Sequence, residues 1–413
     1  MNTNPQKPSQ HTEDEDLEAF RTAMERKTGK RIHGDSLPDT SAVKKKKKKK
    51  LLIIVPSVIV VILIGFYCLT AFTNIPMFRD LRSLWISTAL STGKHHWLAN
   101  IFPQSEIDRV QAEIDAVFKQ DDIAGGTDNL KDKNTNDPTE KRERPKDILG
   151  QRDLSVGDKD YAGYTVVVND VEEGIVISEI TGSGNCGFPY SFNGKVALVD
   201  DPSRVYIGTT PDEQKGQLGL RIKEMMKLHG AILGVNASGF IDPAGEGLGG
   251  DIVGLCYYDG NSWGYPVNYY GSVVLTTDNK LVVGHIDDWS KYNIRDGIQF
   301  GPVLIADGKE VIDESSGSTL GLHPRTAIGQ RADGVIVFID VDGRGAGGSA
   351  GCLISDLTKI LLEYNVVNAA CCDGGASCVI AYDGEIVTHN CSENPNYGRL
   401  LPNAWLVRPK ADS

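Results

Sequence analysis

An apolar run of 22 residues, from Leu51 to Phe72, constrains this chain more than any other feature of its sequence. A helix rises about 1.5 Å per residue, so a run of this length crosses the ~30 Å hydrocarbon core of a bilayer. Seven lysines, Lys44 to Lys50, come directly before it. Because basic flanks stay in the cytoplasm, we predict a single-pass cell-membrane protein. Its transmembrane helix covers residues 51–72, its N-terminus is cytoplasmic and its C-terminal domain is extracellular.

A cleavable signal peptide is the alternative interpretation of this run. Signal peptides have an apolar region of about 7–15 residues and a small-residue cleavage site. Here the run is longer, about 50 residues precede it, and no A-x-A pattern follows. Residues 1–50 have few aromatics and mixed charge, which predicts a disordered cytoplasmic tail.

The charge of the chain is unevenly distributed. The net charge is −12, yet residues 1–50 carry 13 Lys and Arg against 8 Asp and Glu, whereas the rest carries 30 against 47. An acidic main body argues against a nucleic-acid partner. The acidic surplus also leaves a calcium-stabilised adhesin as a hypothesis, although no EF-hand pattern is present.

Residues 73–152 are predicted to form a helical stem followed by a polar linker. In the stem, Ile107, Val110, Ile114 and Val117 fall on one face of a helix. From residue 120 to 151 there is almost no apolar content, which is typical of a linker. The globular domain is therefore expected to cover residues 153–413.

The predicted globular domain is rich in β-branched runs bounded by turn residues. These runs predict strands separated by Gly-, Asp- and Pro-containing turns. Two helices are predicted, at Glu213–His229 with Gly230 as C-cap, and at Ser355–Tyr364. Strands dominate, so the fold class is α+β, a mainly β-sheet core with few packed helices, plus the transmembrane helix. The predicted strands are Tyr164–Val168, Gly174–Ile180, Lys195–Val199, Arg204–Gly208, Ser272–Thr276, Leu281–His285, Val303–Ile305, Val335–Val341 and Val366–Cys372, with a hairpin at Cys378–Thr388.

Seven of the eight cysteines follow the apolar run. No C-x-x-C pair or Cys/His spacing suggests zinc, so neither a metal nor a cofactor is predicted. Adjacent Cys371 and Cys372 are expected to be small buried apolar residues. A disulfide between Cys372 and Cys378 across the following turn stays open.

Four segments place polar side chains in glycine-containing turns at strand ends. Asn236 ends the apolar strand at residues 232–235, where it can bind a ligand oxygen or close an Asx-turn. Arg325, after His323 and Pro324, is either a surface charge or a clamp for phosphate or carboxylate. His323 is a candidate proton donor, although a lone histidine is more often a packing residue.

The other two segments supply carboxylates. Strand alternation predicts Asp340 and Asp342 on one face, with Arg344 just beyond, suited to acid–base work or to a solvated strand end. Asp373 ends a buried strand, and Gly374 and Gly375 then expose backbone amides before Ser377. Such a turn can hold an oxyanion or simply reverse the chain.

In this order, the segments resemble the phosphodiester glycosidase family, which includes a lysosomal enzyme that removes N-acetylglucosamine and bacterial exopolysaccharide-associated, membrane-anchored proteins. The resemblance covers about residues 196–407. Ala376 stands where the family commonly has a third glycine, and Cys371 and Cys372 replace apolar or Asn residues. The matching pieces are Asn236–Phe240, Phe300–Leu304, Pro324–Gly329, Asp342–Arg344, Ser349–Gly351, Asp373–Ser377 and Pro402–Ala404.

The resemblance implies a hydrolase that cleaves the glycosidic C–O bond of a sugar-1-phosphodiester in cell-envelope or extracellular glycans. It implies that Asn236, Arg325, Asp342, Arg344, Asp373 and Ser377 converge on one pocket. With the residues found from the motifs, we predict two groups of site residues. The catalytic group comprises Asp373, Asp342, Arg325 and Arg344. The substrate-binding group comprises Asn236, Gly374, Gly375, Ser377, His323 and Asn403.

A non-catalytic module that binds cell-wall polysaccharide or teichoic acid is the alternative function. It would need the same pocket but more exposed aromatic side chains. Trp263, Tyr265, Tyr269 and Tyr270 cluster in the sequence, although aromatic strands are more often core. The expected partners are thus a glycan or sugar-phosphate substrate and the membrane, and the oligomeric state stays open.

Overall fold

A computed structural model divides the chain into two units, residues 1–68 and 69–413, which are described separately. For residues 40–53 it describes the helical backbone alone. Of the predicted tail, residues 40–50, Thr22 and Arg26 are described, and residues 40–50 are helical rather than disordered. The rest of the tail and most of the predicted linker lie outside the described residues. These are 40–92, 95–119, 124–126, 147–242, 245–286, 292–312 and 319–411, with Thr22 and Arg26.

The apolar run lies in a long helix, α1 (Thr40–Phe72), which begins at Thr40 rather than at Leu51. Its segment Ile54–Phe72 has a mean hydropathy of 2.5 and is mostly exposed. This segment is long and apolar enough to be a membrane span or a signal sequence. The orientation of the chain stays a prediction.

Two helices and a 3₁₀ turn form the stem: α2 (Pro76–Leu90), His96–Ile101, and α3 (Gln104–Phe118). The predicted apolar face of α3 is buried. Stem residues such as Ile86 and Val110 share one hydrophobic cluster with Leu304 and Leu357 of the β-rich part. The stem therefore packs on the domain rather than standing apart from it.

Mostly β structure follows the stem, so the predicted fold class is confirmed. Two further helices are α4 (Ile222–His229) and α5 (Ile354–Glu363). The strands are β1 (Ala124–Gly125), β2 (Thr165–Asp170), β3 (Ile175–Asn185), β4 (Pro189–Val199), β5 (Val205–Thr209), β6 (Leu233–Asn236), β7 (Leu255–Tyr258), β8 (Asn261–Gly264), β9 (Ser272–Thr276), β10 (Leu281–Gly284), β11 (Ile294–Gln299), β12 (Val303–Ala306), β13 (Lys309–Glu310), β14 (Arg325–Arg331), β15 (Ile336–Val341), β16 (Val366–Cys372), β17 (Ile380–Tyr382), β18 (Glu385–Ile386) and β19 (Asn403–Val407).

Three sheets are formed by these strands. A sheet in the order β13-β12-β16-β14-β15-β4-β3-β2 occupies the middle, with sheets β1-β10-β9-β11-β7-β8 and β18-β17-β6-β19-β5 against one of its faces. Successive side chains of a strand point to opposite faces. Accordingly, Val337 and Ile339 of β15 join the cluster that contains the stem and α5, whereas Ile336 and Phe338 join the cluster between the sheets. The middle sheet is thus buried on both faces.

The predicted helix Glu213–His229 is wrong at its start. Residues 212–214 form a 3₁₀ turn, and the α-helix begins only at Ile222. Gly216 has a φ of 76°, which ends any helix there. Gly219 is crowded by the Leu401 and Gly249 carbonyls, so this segment packs as extended chain. Gly230 caps α4 in the left-handed conformation, as predicted.

All eight cysteines are unpaired. Cys372 and Cys378 therefore form no disulfide. Cys371 and Cys372 are both buried, and they join the hydrophobic clusters on opposite faces of the middle sheet. They fill core space, as small apolar residues do.

Candidate active site

A cavity of about 1230 Å³ lies where the stem meets one edge of the middle sheet. Its lining has two parts of different chemistry. The polar floor consists of Arg325, Arg344, Asp373, Gly374 and Gly375. The apolar wall consists of Leu84, Trp85, Ile114, Phe118, Tyr270 and Phe300.

Strand register explains why the polar floor assembles. In the middle sheet, β14 pairs antiparallel with both β15 and β16; Arg325 faces Val341, and Thr326 faces Cys372. The start of β14 therefore lies beside the ends of β15 and β16. The residues just beyond those ends, Arg344 and Asp373, come to the same sheet edge.

Asp373 is the carboxylate of the polar floor. Burial raises its pKa to about 6, while Ser377, the Arg399 charge, the Gly374 amide and the Arg344 charge act in the opposite direction. The Gly374 N–H donates to Asp373 Oδ1 over 3.0 Å. The Asp373 backbone is fixed from both sides, since its N–H donates to the Ala237 carbonyl. A carboxyl group with a pKa near neutrality is suited to proton transfer.

Arg325 and Arg344 line the cavity together with this carboxylate. Arg325 Nη2 donates to the carbonyl oxygens of Leu320 and Gly321, over 2.7 and 3.0 Å. Its buried Nε has no hydrogen-bond partner among the described residues. Burial, and to a smaller extent the Arg344 charge, lower the pKa of Arg325. A group this basic stays charged all the same, so it supplies fixed positive charge to the cavity.

Arg344 lies over the turn that follows Asp373. A Cβ at Gly375 would lie 3.0 Å from Arg344 Nη2, and Gly375 has a φ of +65°. Only glycine tolerates both this close approach of the guanidinium and this positive φ without strain. Arg344 is exposed and lines the cavity, and its own φ is 56°.

His323 also lines the cavity but is almost fully buried. Its burial, together with the charges of Arg325 and Arg344, lowers its pKa well below the usual value. A neutral imidazole at physiological pH cannot donate a proton as an imidazolium does. The structure therefore does not favour His323 as the proton donor.

Of the ten residues proposed from the sequence, four do not line the cavity. Asp342 is buried elsewhere, where its carboxylate accepts the His389 N–H over 2.8 Å and pairs with His389 Nδ1 over 2.9 Å. Burial raises its pKa, and the His389 contacts oppose this. Asn403 is fully buried and holds Ser238 through its side-chain amide. Ser377 is buried below the floor, close enough to lower the pKa of Asp373.

Asn236 is the fourth of these, and it supports the floor from behind. Its Nδ2 donates to the Asp373 carbonyl over 2.6 Å. Its Oδ1 accepts from the Thr326 hydroxyl and the Val379 N–H, both over 3.0 Å. With these bonds made and the side chain fully buried, Asn236 positions Asp373 rather than contacting a sugar.

Sequence reasoning missed an ion pair at the rim of the cavity. Arg399 pairs with Asp242, and its guanidinium lies 4.6 Å from the Phe240 ring centroid. The Arg399 charge also lowers the pKa of Asp373. Arg399 lies outside the strand-turn motifs of the sequence, so only its charge could have indicated that it belongs to the site.

The aromatic cluster near residue 265 divides in the structure. Tyr270 belongs to the apolar wall, whereas Tyr265 and Tyr269 are exposed and do not line the cavity. Among the described residues, no group of three or more His, Cys, Asp or Glu side chains is placed to hold a metal ion.

Together, the fold and the site define a mainly β-sheet domain whose cavity holds two arginines and a carboxylate of raised pKa at one sheet edge. Residues 229–408 match the family described as phosphodiester glycosidase, so this part of the chain is similar to that family. The resemblance expected from the sequence motifs is confirmed at the family level.

Known relatives are distant. Over 217 residues the chain is 31% identical to the SPbeta prophage-derived uncharacterized protein YomE of Bacillus subtilis (strain 168); this match covers 49% of the chain and 30% of that protein. The chain thus spans less than a third of the length of this curated relative. Among solved structures, the zebrafish N-acetylglucosamine-1-phosphodiester alpha-N-acetylglucosaminidase catalytic domain, auto-inhibited by pro-peptide, has a TM-score of 0.48 and 18% identity, over 57% of this chain and 84% of that one. A hypothetical protein from Synechocystis has a TM-score of 0.46 and 14% identity, over 59% and 64%.

Proposed function

We propose that residues 153–413 hydrolyse a sugar-1-phosphodiester of a cell-envelope or extracellular glycan, at the bond between sugar C1 and the phosphate oxygen. The observation that carries this proposal is the polar floor, in which Arg325 and Arg344 come together with Asp373. The family match supports the reaction class. Placement outside the cell follows from the apolar helix and its basic flank, which favour an extracellular C-terminal domain.

Phosphate recognition is assigned to the two arginines of the floor. Arg344 is exposed to the cavity and presents a planar fork of donors, which matches two phosphate oxygens. The amides predicted to bind the oxyanion are already engaged, since the Gly374 N–H donates to Asp373 Oδ1 and the Gly375 N–H donates to the Pro324 carbonyl. Arg325 contributes a second positive charge to the floor. The buried Nε of Arg325 is a further candidate donor. Charge that develops on the departing phosphate is thereby stabilised.

Asp373 is assigned as the base. Ionised Asp373 takes a proton from water as the water oxygen bonds to C1. The C1–O bond breaks, and its electron pair stays on the phosphate, which leaves as a phosphomonoester. Because phosphate is a good leaving group, no second carboxyl group is needed as general acid, which agrees with the position of Asp342 outside the cavity. Asn236 keeps its positioning role behind Asp373.

Turnover of soluble substrates tests this function. Full-length protein in nanodiscs is incubated with methyl diesters of hexose- and N-acetylhexosamine-1-phosphates, and free sugar and methyl phosphate are measured. We expect equal amounts of both products for at least one sugar, and none from the Asp373→Asn variant. Tight binding of a diester without any turnover would instead favour the glycan-binding alternative.

A further inference from the structure

The cavity is larger than a sugar phosphate requires. Small-molecule pockets usually measure about 300–1,000 Å³, whereas this one measures about 1230 Å³. The apolar wall bounds part of this additional space, and polar residues such as Arg399 and Asp242 bound another part. Trp85 is 46% exposed although it belongs to this wall, so apolar surface is left for a ligand to cover.

A row of aromatic rings connects the stem to the polar floor. The Phe118 and Tyr270 centroids lie 5.6 Å apart, and the Tyr270 and Phe300 centroids lie 4.9 Å apart. Phe300 then packs against Gly239, where an added Cβ would be 2.8 Å from the ring and 3.9 Å from Asp373 Oδ1. Apolar surface therefore runs without interruption from α3 to the candidate base.

The stem also touches the structure that holds Arg325. A Cβ at Gly321 would lie 2.6 Å from the Thr88 hydroxyl oxygen of α2. Gly321 and Leu320 supply the carbonyl oxygens that accept from Arg325 Nη2. The wall and the floor are thus two parts of one site.

The wall begins close to the apolar helix in the chain. α1 ends at Phe72 and α2 begins at Pro76, with only residues 73–75 between them. Four extended residue steps span at most about 14 Å. Phe72, Ile75 and Met77 are exposed at this junction. If α1 crosses a bilayer, these positions place the start of the stem at the membrane surface.

From these features we infer that the ligand is an amphipathic sugar-1-phosphodiester whose second ester group is a long alkyl or prenyl chain. Its sugar phosphate occupies the polar floor, and its hydrocarbon chain lies along the apolar wall. This inference rests on the proposed function and specifies its substrate class. Each buried methylene strengthens binding by up to about fourfold, so chain length is a sensitive probe.

The test compares methyl and octyl diesters of one sugar-1-phosphate with full-length protein in phosphatidylcholine nanodiscs. We expect a KM at least about tenfold lower for the octyl diester. Trp85→Leu and the more severe Trp85→Ser should reduce this preference at least about threefold. The matched control is Trp97→Ser, in the same stem, since Trp97 is 55% exposed and does not line the cavity. Thermal unfolding checks that each variant is folded.

Equal KM values for the two diesters in the wild type, or equal effects of Trp85→Leu and Trp97→Ser, would overturn the inference. Should no diester be hydrolysed, the proposed reaction fails, yet the wall can still be tested by calorimetry with octyl phosphate and methyl phosphate. Tighter binding of octyl phosphate that requires Trp85 supports the apolar site without the reaction. Equal binding of the two phosphates rejects the site as well.

Discussion

The polar floor and the apolar wall bound the same cavity but arise in different ways. The floor consists of residues just outside three neighbouring strands, and sheet register fixes their mutual position. Most of the wall comes from two helices of the stem and from the loops around Tyr270 and Phe300. The floor carries charge, whereas the wall offers only apolar surface. Reaction is therefore assigned to the floor and selection of the aglycone to the wall.

Experiments can test whether the floor and the wall act separately. Substitutions in the floor should affect methyl and octyl diesters equally, because both share the sugar phosphate. Substitutions in the wall should affect the octyl diester more than the methyl diester. A floor variant that discriminates between the diesters would show that the two parts do not act separately.

Asp373→Asn should have the largest effect. It removes the proposed base while retaining an oxygen that can accept the Gly374 N–H. We expect kcat to fall by about 10²- to 10⁴-fold for both diesters, with unchanged circular dichroism. Wild-type turnover in a folded variant would remove Asp373 from the mechanism.

Acidification should have the next largest effect. The pKa of Asp373 is raised to about 6, and a base works only when ionised, so activity is present above pH 6 and lost as the pH falls through it. We expect log(kcat/KM) to fall by about one unit per pH unit below 6. Stopped assays from pH 4 to 8, with folding checked at each pH, measure this. A flat profile between pH 4 and 6 would disprove the assignment.

Arg344→Gln should act on phosphate binding. Hydrogen bonds to charged groups contribute about 1.5–3 kcal/mol, so KM should rise roughly 10- to 100-fold for both diesters. Arg344→Lys should recover part of this, because it restores charge but not the fork. Arg331→Gln is the control, since Arg331 pairs with Asp333 at the opposite end of β14 from the floor. An equal KM change in both variants would exclude a specific role for Arg344.

Asp342→Asn should have the smallest effect on activity. Its carboxylate is buried against His389, outside the cavity, so the variant should lose about 1–3 kcal/mol of unfolding free energy. We expect kcat to change by less than about threefold. Urea unfolding and steady-state kinetics measure both quantities. A loss of kcat as large as that of Asp373→Asn would restore a mechanism with two carboxylates.

Sequence reasoning identified the floor better than the wall. Arg325, Arg344 and Asp373 each stand in a strand-turn motif, and strand ends can be located from β-branched runs and glycines. Asp342 does not line the cavity, because it lies beyond the end of β15 and bonds to His389, a residue 47 positions away. That contact depends on tertiary packing, which local pattern does not encode.

The fold shows the same limit. The periodicity of α3 correctly predicted that Ile107, Val110, Ile114 and Val117 are buried. It could not indicate what buries them, so the stem was expected to stand apart from the domain that it helps to complete. Helix periodicity identifies an apolar face but not the surface that this face contacts.

Hydrolysis in ¹⁸O-labelled water tests the central claim most directly, because it shows which bond breaks. If water attacks sugar C1 under the control of Asp373, the label appears in the C1 hydroxyl of the released sugar, and the phosphomonoester is unlabelled. Mass spectrometry of the two products distinguishes them after a single turnover. Label in the phosphomonoester would mean cleavage at phosphorus and would contradict the glycosidase mechanism.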